Sequence, residues 1–486
     1  MNEELDSEFQ RTKDIVDALD APIPEECLHC RGQLNSAQQA AFDDIMQHVH
    51  ENKPGAFFID GPGGTGKTLL YNALYAEIRL MQNIVLPTAT SGIAAANIPS
   101  GRTAHSRFKI PIDSEASLAC SVPKQGSLAA LLRETTSIIW DEASMAKKEN
   151  IESLDLLLQD LCECKSLFGG KLVVFGGDFR QVLPIVPRKT QREAVETSIV
   201  SSYLWPKLKK FRLTENIRAR EDPDYCSFLL ALGNGELQQA EVGYVPLPQE
   251  IVRTISVNGD PVKELITSTF PEIGSKSFTT EIFTERAILT PTNDDVDSIN
   301  TFLINSFPGS PFVYKSFDTI LDDMCTVYPT EFLNKLCPGG MSPHELVLKK
   351  NCPVILLRNI LPSSGLCNGT RLICMIFYRN VIECQIAVGH YKGKTHFIHR
   401  VNLRPSNSAG YPFQFERKQF PLKLSFAMTI NKSQGQTLSQ VSVHLQRPCF
   451  SHGQLYVALS RAKKASKESY RDGASMYVFG RVNSRN

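Results

Sequence analysis

The sequence predicts an α/β protein made of two successive α/β units, each built on a parallel sheet, with a small β-barrel inserted into the second. Three observations predict it. Short apolar runs alternate with helical stretches through the first 210 residues, and the same alternation resumes after Phe211. Between them in character lies the stretch 346–418, with brief β-type runs, tight turns and little helix. A length of 486 residues is enough for about three domains at ~150 residues each.

The first 33 residues are charged, lack a sustained apolar period and contain the break Ala21-Pro-Ile-Pro24, so they read as a lead-in segment. From Asn35 the pattern is helical, with Phe42, Ile45, Met46 and Val49 on one face. Pro54-Gly55 stops that helix, and Ala56–Asp60 is suited to a buried strand. Ile84-Val-Leu, Ser137–Trp140 and Lys171–Phe175 are similar runs, with a helix over 149–164 before the last. These place a first domain over 34–210. The second covers 211–345 and 419–486, with a strand at Ala287–Thr290, a helix through Asp295, Ile299 and Leu303, a strand at Leu422–Ala427 and a helix near 452–463. The inserted barrel, 346–418, takes Pro353–Leu357, Arg371–Phe377 and His396–Val401 as strands.

Composition narrows the class. Lys and Arg number 52 against 51 Asp and Glu, which excludes a wholesale polycation. The near-neutral total hides a gradient: residues 1–60 carry net −9, 61–390 net −3 and 391–486 net +13. The basic C-terminal fifth has the sign that attracts phosphate backbones. Thirteen scattered cysteines suggest a reducing compartment, and the acidic start Met1–Asp6 argues against a signal peptide. No apolar run approaches the ~18 residues a membrane span needs. An intracellular protein is expected, with no membrane partner. Cys27-Leu-His-Cys30 has the spacing of half a zinc site, but no second close pair completes it.

The strongest chemical signal is Gly61-Pro-Gly-Gly-Thr-Gly-Lys-Thr68, a complete Walker A loop between a strand and a helix. Gly63, Gly64, Thr65 and Gly66 let backbone amides close around phosphate oxygens, and the helix N-terminus adds a favourable dipole. Lys67 supplies a point charge for the β and γ phosphates, and Thr68 a hydroxyl for Mg²⁺. Ser137–Trp140 ends in Asp141-Glu142, the arrangement in which Asp141 orients the metal's water shell and Glu142 activates the attacking water. Gln181, in Gly176-Gly-Asp-Phe-Arg-Gln181, follows the next strand and is placed to sense the γ-phosphate. Arg218 and Arg461 are candidate arginines from the second α/β unit.

These segments, with Leu34–Gln38, Thr88–Ala94, Arg102–Phe108, Leu213–Arg218, Ile430–Thr437 and Gln454–Arg461, occur in helicase order. The set resembles the Pif (petite integration frequency) family of superfamily-one DNA helicases over roughly 34–465. Met341–Lys350 and Pro353–Leu372 resemble the helicases of Helitron transposons. The nuclease motif of full Helitron proteins is matched only by His48-Val-His50, read as a helix-surface pair. The resemblance implies two RecA-like P-loop domains, an SH3-like barrel, and ATP with Mg²⁺ as cofactors. It also implies 5′-to-3′ movement along single-stranded DNA and unwinding of forked or 5′-tailed duplexes, in genome maintenance such as repair, recombination or telomere upkeep, or as part of a Helitron-like element.

Carried over residue by residue, Gln38 would read the adenine, Gly435 and Gln436 would approach the γ-phosphate, and Arg218 and Arg461 would neutralise its developing charge. Thr68 and Asp141 would hold the metal. Thr90, Ser91, Gly92, His105, Arg107, Phe108, Asn431 and Lys432 match positions on the single-strand path, where hydroxyls and amides suit phosphates and rings suit bases. A core role for Phe108 is the competing reading. The segment 110–125 sits where related enzymes place a duplex-splitting wedge. A monomer is expected, in the nucleus or else the mitochondrion. An RNA or RNA/DNA-hybrid track, quadruplex unwinding, and a nucleotide-switched strand-binding protein without unwinding stay open as alternatives.

Overall fold

The computed structural model describes residues 13–480 apart from 112–116, 185–190, 218–219, 221, 239–244, 253–259, 274–281, 322–327, 406–410, 463–464 and 466–474. The chain divides into two compact units, 1–236 with Ser451–Tyr456 and, second, 237–450 with 457–485.

The first unit is a six-stranded sheet whose pairings are all parallel. Its strands are β1 (Gly55–Asp60), β2 (Val85–Ala89), β3 (Arg102–Thr103), β4 (Ser137–Asp141), β5 (Leu172–Gly177) and β6 (Lys209–Arg212), in the order β3-β2-β4-β5-β1-β6. The near-continuous apolar runs follow from burial on both faces. Phe58, Ile138, Trp140, Val173 and Phe175 enter one core. Phe57, Ile59, Ile139, Leu172 and Val174 enter the other. Helix α1 (Ser36–His50) covers the second face with Phe42, Ile45 and Val49, as its spacing predicts. Its first turn is closed by a capping box: the Asn35 side chain accepts from the Gln38 amide, and Gln38 Oε1 accepts from the Asn35 amide. Helix α2 (Lys67–Leu80) starts directly from the Gly66 turn and buries Leu70, Leu74 and Ile78 against the same core.

The second unit holds a four-stranded parallel sheet. Its members are β7 (Arg286–Thr290), β8 (Ala427–Thr429), β9 (Gln440–Leu445) and β10 (Ser475–Gly480), ordered β8-β7-β9-β10. Antiparallel strands lie in the chain between β7 and β8, from Phe312 to Leu424, and form three sheets. Thr395–His399, Val381–Ile386, Arg371–Phe377, Pro353–Leu356 and Leu422–Leu424 make five strands in that spatial order. Val401–Leu403, Phe415–Gln419 and Phe317–Ile320 make three, and Glu345–Leu348 pairs with Phe312–Lys315. Pairing therefore joins strands inside 346–418 to strands on either side of it.

Two buried arginines fasten this region. The Arg371 guanidinium donates to the carbonyls of Phe283, Thr284, Arg286 and Ser425, tying the five-stranded sheet to the start of β7. Arg417 pairs with Asp318 at 2.7 Å, both side chains fully buried. Removing either partner of such a pair would strand a charge in the interior. Among the described residues no helix is long and apolar enough to cross a membrane.

Candidate nucleotide site and strand path

The C-terminal ends of parallel strands are where an α/β sheet collects its ligands, and the charged motifs of the first unit meet there. The loop from β1 into α2 is built by Gly64 (φ 94) and Gly66 (φ 75), both in the left-handed region. Space is a second constraint at Gly66, because a Cβ there would lie 2.4 Å from Gln38 Nε2 and 2.9 Å from Ile217. Gln38 is fully buried beneath the loop, its Nε2 donating to the Thr65 carbonyl at 2.9 Å. With Oε1 already in the capping box, this side chain, expected at the adenine, braces the loop's backbone. Thr65 is also turned inward, its hydroxyl donating to the Pro62 carbonyl at 2.9 Å. Lys67 Nζ donates to the Gly61 carbonyl at 2.5 Å. Thr68 is half-buried in the first turn of α2.

Asp141 ends β4 and Glu142 follows it in the left-handed conformation (φ 54), both buried. Burial, followed by the neighbouring Glu142 charge, pushes the Asp141 carboxyl well above its usual range, while the Lys67 charge opposes this. Asp141 Oδ1 accepts no hydrogen bond among the described residues. A buried, crowded carboxylate with a free oxygen is a chemical fit for a divalent cation. The buried Tyr71 ring stands beside it and depends on Gly176, where a Cβ would lie 1.6 Å from the Tyr71 hydroxyl.

Gln181 is buried at the end of the β5 loop, Nε2 donating to Asp178 Oδ2 at 3.0 Å. The same oxygen accepts from the Tyr456 hydroxyl, which itself accepts from the loop amide of Gly63 at 3.1 Å. A chain of hydrogen bonds thus runs from the phosphate loop to Gln181. Arg180 Nη1 adds contacts to Asp178 at 3.2 Å and Asp60 at 3.8 Å. Asp178, Arg180 and Tyr456 lie inside motifs recognisable in the sequence, but their letters carry no sign of this junction. A cavity of about 310 Å³ opens beside Pro62, lined by Thr214, Asn216, Pro223, Leu230 and Tyr456 among others.

The residues expected on the strand path separate into two kinds. Ser91 Oγ caps the short helix Gly92–Ala96 by accepting from the Ala94 amide, and Gly92 is buried in its first turn. His105 is half-buried, and desolvation lowers its pKa. Arg107 and Phe108 point inward. Arg107 donates to the carbonyls of Pro87 (3.0 Å) and Ser100 (2.7 Å), and burial lowers its pKa to about 9. Phe108 is fully buried, 6.0 Å from the Trp140 ring. No face of it is open to a base, so the core reading replaces the stacking one. Of the expected wedge, 112–116 lie outside the described residues. Its flanks are joined where the Ser121 amide donates to the Lys109 carbonyl, and Ile110 is buried in the core.

In the second unit, Gly435 (φ 80), Gln436 and Arg461 form one cluster. Arg461 is buried and donates to the carbonyls of Gln436 (3.0 Å) and Val457 (3.0 Å). Gln436 Nε2 donates to the Lys432 carbonyl at 3.0 Å. Asn431 and Lys432 are half-buried on the turn Ile430–Ser433. Burial and the nearby Lys423 lower the Lys432 pKa to about 8. Arg218 lies outside the described residues.

Comparison with known proteins agrees with this architecture. The family model for PIF1-like helicases matches residues 33–243, and that for the 2B domain of DNA helicase Pif1 matches 331–377, together just over half the chain. The ATP-dependent DNA helicase PIF1 of Xenopus laevis is 27% identical over 410 residues, covering 84% of this chain and 57% of the relative. The ATP-dependent DNA helicase RRM3 of Saccharomyces cerevisiae is 25% identical over 480 residues, covering 83% and 61%. The chain spans only 45–58% of the length of relatives such as these from Xenopus, Trypanosoma brucei and Emericella nidulans. Bacteroides Pif1 bound to single-stranded DNA shares the fold with a TM-score of 0.64 at 22% identity, covering 92% of both chains. Pif1 from Candida albicans does so with a TM-score of 0.61 at 24% identity, covering 93% and 97%. The chain belongs to the PIF1-like helicase family.

Proposed function

We propose that this chain hydrolyses ATP to move 5′ to 3′ along single-stranded DNA and to separate forked or 5′-tailed duplexes. The observation that carries the reading is the convergence of Lys67, Asp141, Glu142 and Gln181 at one sheet edge around a glycine-built loop. The names of the relatives, ATP-dependent DNA helicases, favour the same activity.

In this mechanism the loop amides and Lys67 bind the β and γ phosphates. The Glu142 carboxylate takes a proton from water as the water oxygen bonds to the γ-phosphorus and the bond to the ADP oxygen breaks. Thr68 and Asp141 would hold Mg²⁺, which when bound offsets phosphate charge. We assign Gln181, connected to the loop through Asp178 and Tyr456, the sensing of the γ-phosphate. Arg461 supplies a fixed cation held by Gln436 and Val457, and we assign Arg218 the companion role. The cavity beside Pro62 suits the nucleoside. We assign Ser91, Gly92, His105, Asn431 and Lys432 to the strand, Lys432 as a phosphate contact, and to the antiparallel strands of 346–418 the part of an SH3-like insertion enclosing it.

Duplexes with matched 5′ or 3′ single-stranded tails test this directly. Separation of the 5′-tailed duplex alone, requiring ATP, is expected. Separation only from 3′ tails overturns the polarity, and preference for an RNA tail overturns the choice of track.

A further inference from the structure

Thr90 was expected to meet the strand, yet its polar atoms are committed to the hydrolytic edge. It is the first residue after β2. Its hydroxyl donates to the Glu142 carbonyl at 2.7 Å and accepts the indole N–H of Trp140 at 3.0 Å. Its amide donates to the Asp141 carbonyl at 3.1 Å. The β2–β4 ladder ends at Ala89↔Asp141, so these bonds carry the pairing one residue further. That residue is Glu142, which leaves the sheet at φ 54 and ψ 36, a conformation side-chain-bearing residues rarely adopt. A backbone in such a region persists where its surroundings fix it.

We infer that Thr90 is a positioning residue for Glu142. By holding the Glu142 carbonyl, its hydroxyl fixes the peptide plane after the turn and so the direction in which the carboxylate leaves the backbone. Trp140, buried in the core, anchors the hydroxyl from the other side, so its single proton is directed at Glu142. The inference rests on the reading of Glu142 as the base that activates water. It assigns Thr90 to the chemical step, with strand contact left to Ser91 and Gly92 beside it.

The test is steady-state ATP hydrolysis with and without oligothymidylate, beside strand affinity by anisotropy and thermal unfolding. Thr90→Val keeps the shape and removes the hydroxyl. It should lower kcat about 10- to 100-fold with and without strand, as a misdirected catalytic group does. KM for ATP and strand affinity should stay within about twofold, and Thr90→Ser should restore kcat. If Thr90→Val is unstable, Thr90→Ala and the Thr90→Ser rescue carry the same comparison. Unchanged kcat in a folded hydroxyl-less variant, or a loss confined to strand affinity, overturns the inference alone. No turnover by the wild type overturns it together with the proposed function.

Discussion

At the C-terminal edge of the first sheet, Lys67, Asp141, Glu142 and Gln181 come from three separate segments: Lys67 donates to the Gly61 carbonyl and its charge acts on the Asp141–Glu142 pair, while Gln181 donates to Asp178. In the segment Arg102–Phe108, the last two side chains turn away from solvent, one onto two carbonyls and one into the core. Both regions carry family motifs. The difference teaches that a motif letter can be required by two kinds of neighbour. At the edge the letters gather charged and amide side chains at the ends of β1, β4 and β5, and in the segment they pack the short helix Ala104–Phe108 against the sheet.

Breaking the segment should therefore cost stability. Phe108→Ala should destabilise the first unit by about 3–5 kcal/mol, since a fully buried ring is replaced by a cavity, measured by denaturant unfolding. Phe108→Leu should cost under ~1.5 kcal/mol and leave single-strand affinity unchanged. A tenfold loss of affinity in that folded variant would restore the stacking role. Arg107→Leu should cost about 2–3 kcal/mol, because two buried carbonyls lose a charged donor.

At the edge the expected response is to pH. The Asp141 carboxyl is raised in the folded protein, so ionising it opposes folding. Wild-type stability without metal should fall as pH rises from the ordinary carboxylate range toward the folded pKa, then level off. Asp141→Asn lacks that loss, so it should melt higher than wild type at pH 8 in chelator and match it near pH 4. An equal difference at both values would contradict the burial argument. The smallest effect belongs to Lys432, whose charge is present below about pH 8 and lost above it. Strand affinity should weaken about two- to threefold more between pH 7 and 9 in wild type than in Lys432→Met, one phosphate contact being at stake.

Much of this was legible in the sequence. Strands buried on both faces announce themselves as apolar runs, so β1, β4 and β5 and the loops after them are placed by the letters alone. The apolar period of Phe42, Ile45 and Val49 likewise announces α1. Direction within a motif is what the letters withhold. Gln38 can face a base or the loop's own backbone with the same amide, and an arginine such as Arg107 reads as a strand contact until its carbonyl partners, twenty and seven residues away, are seen. The Tyr456 contact with Gly63 spans 393 residues, beyond any local signal.

Strand-dependent ATP hydrolysis at the loop edge is the central proposal. Hydrolysis by wild type and Lys67→Ala, each with and without oligothymidylate and matched in thermal stability, tests it most directly. Turnover that rises with the strand in wild type and falls by about 10³-fold in Lys67→Ala is predicted. Retained turnover in Lys67→Ala would contradict it.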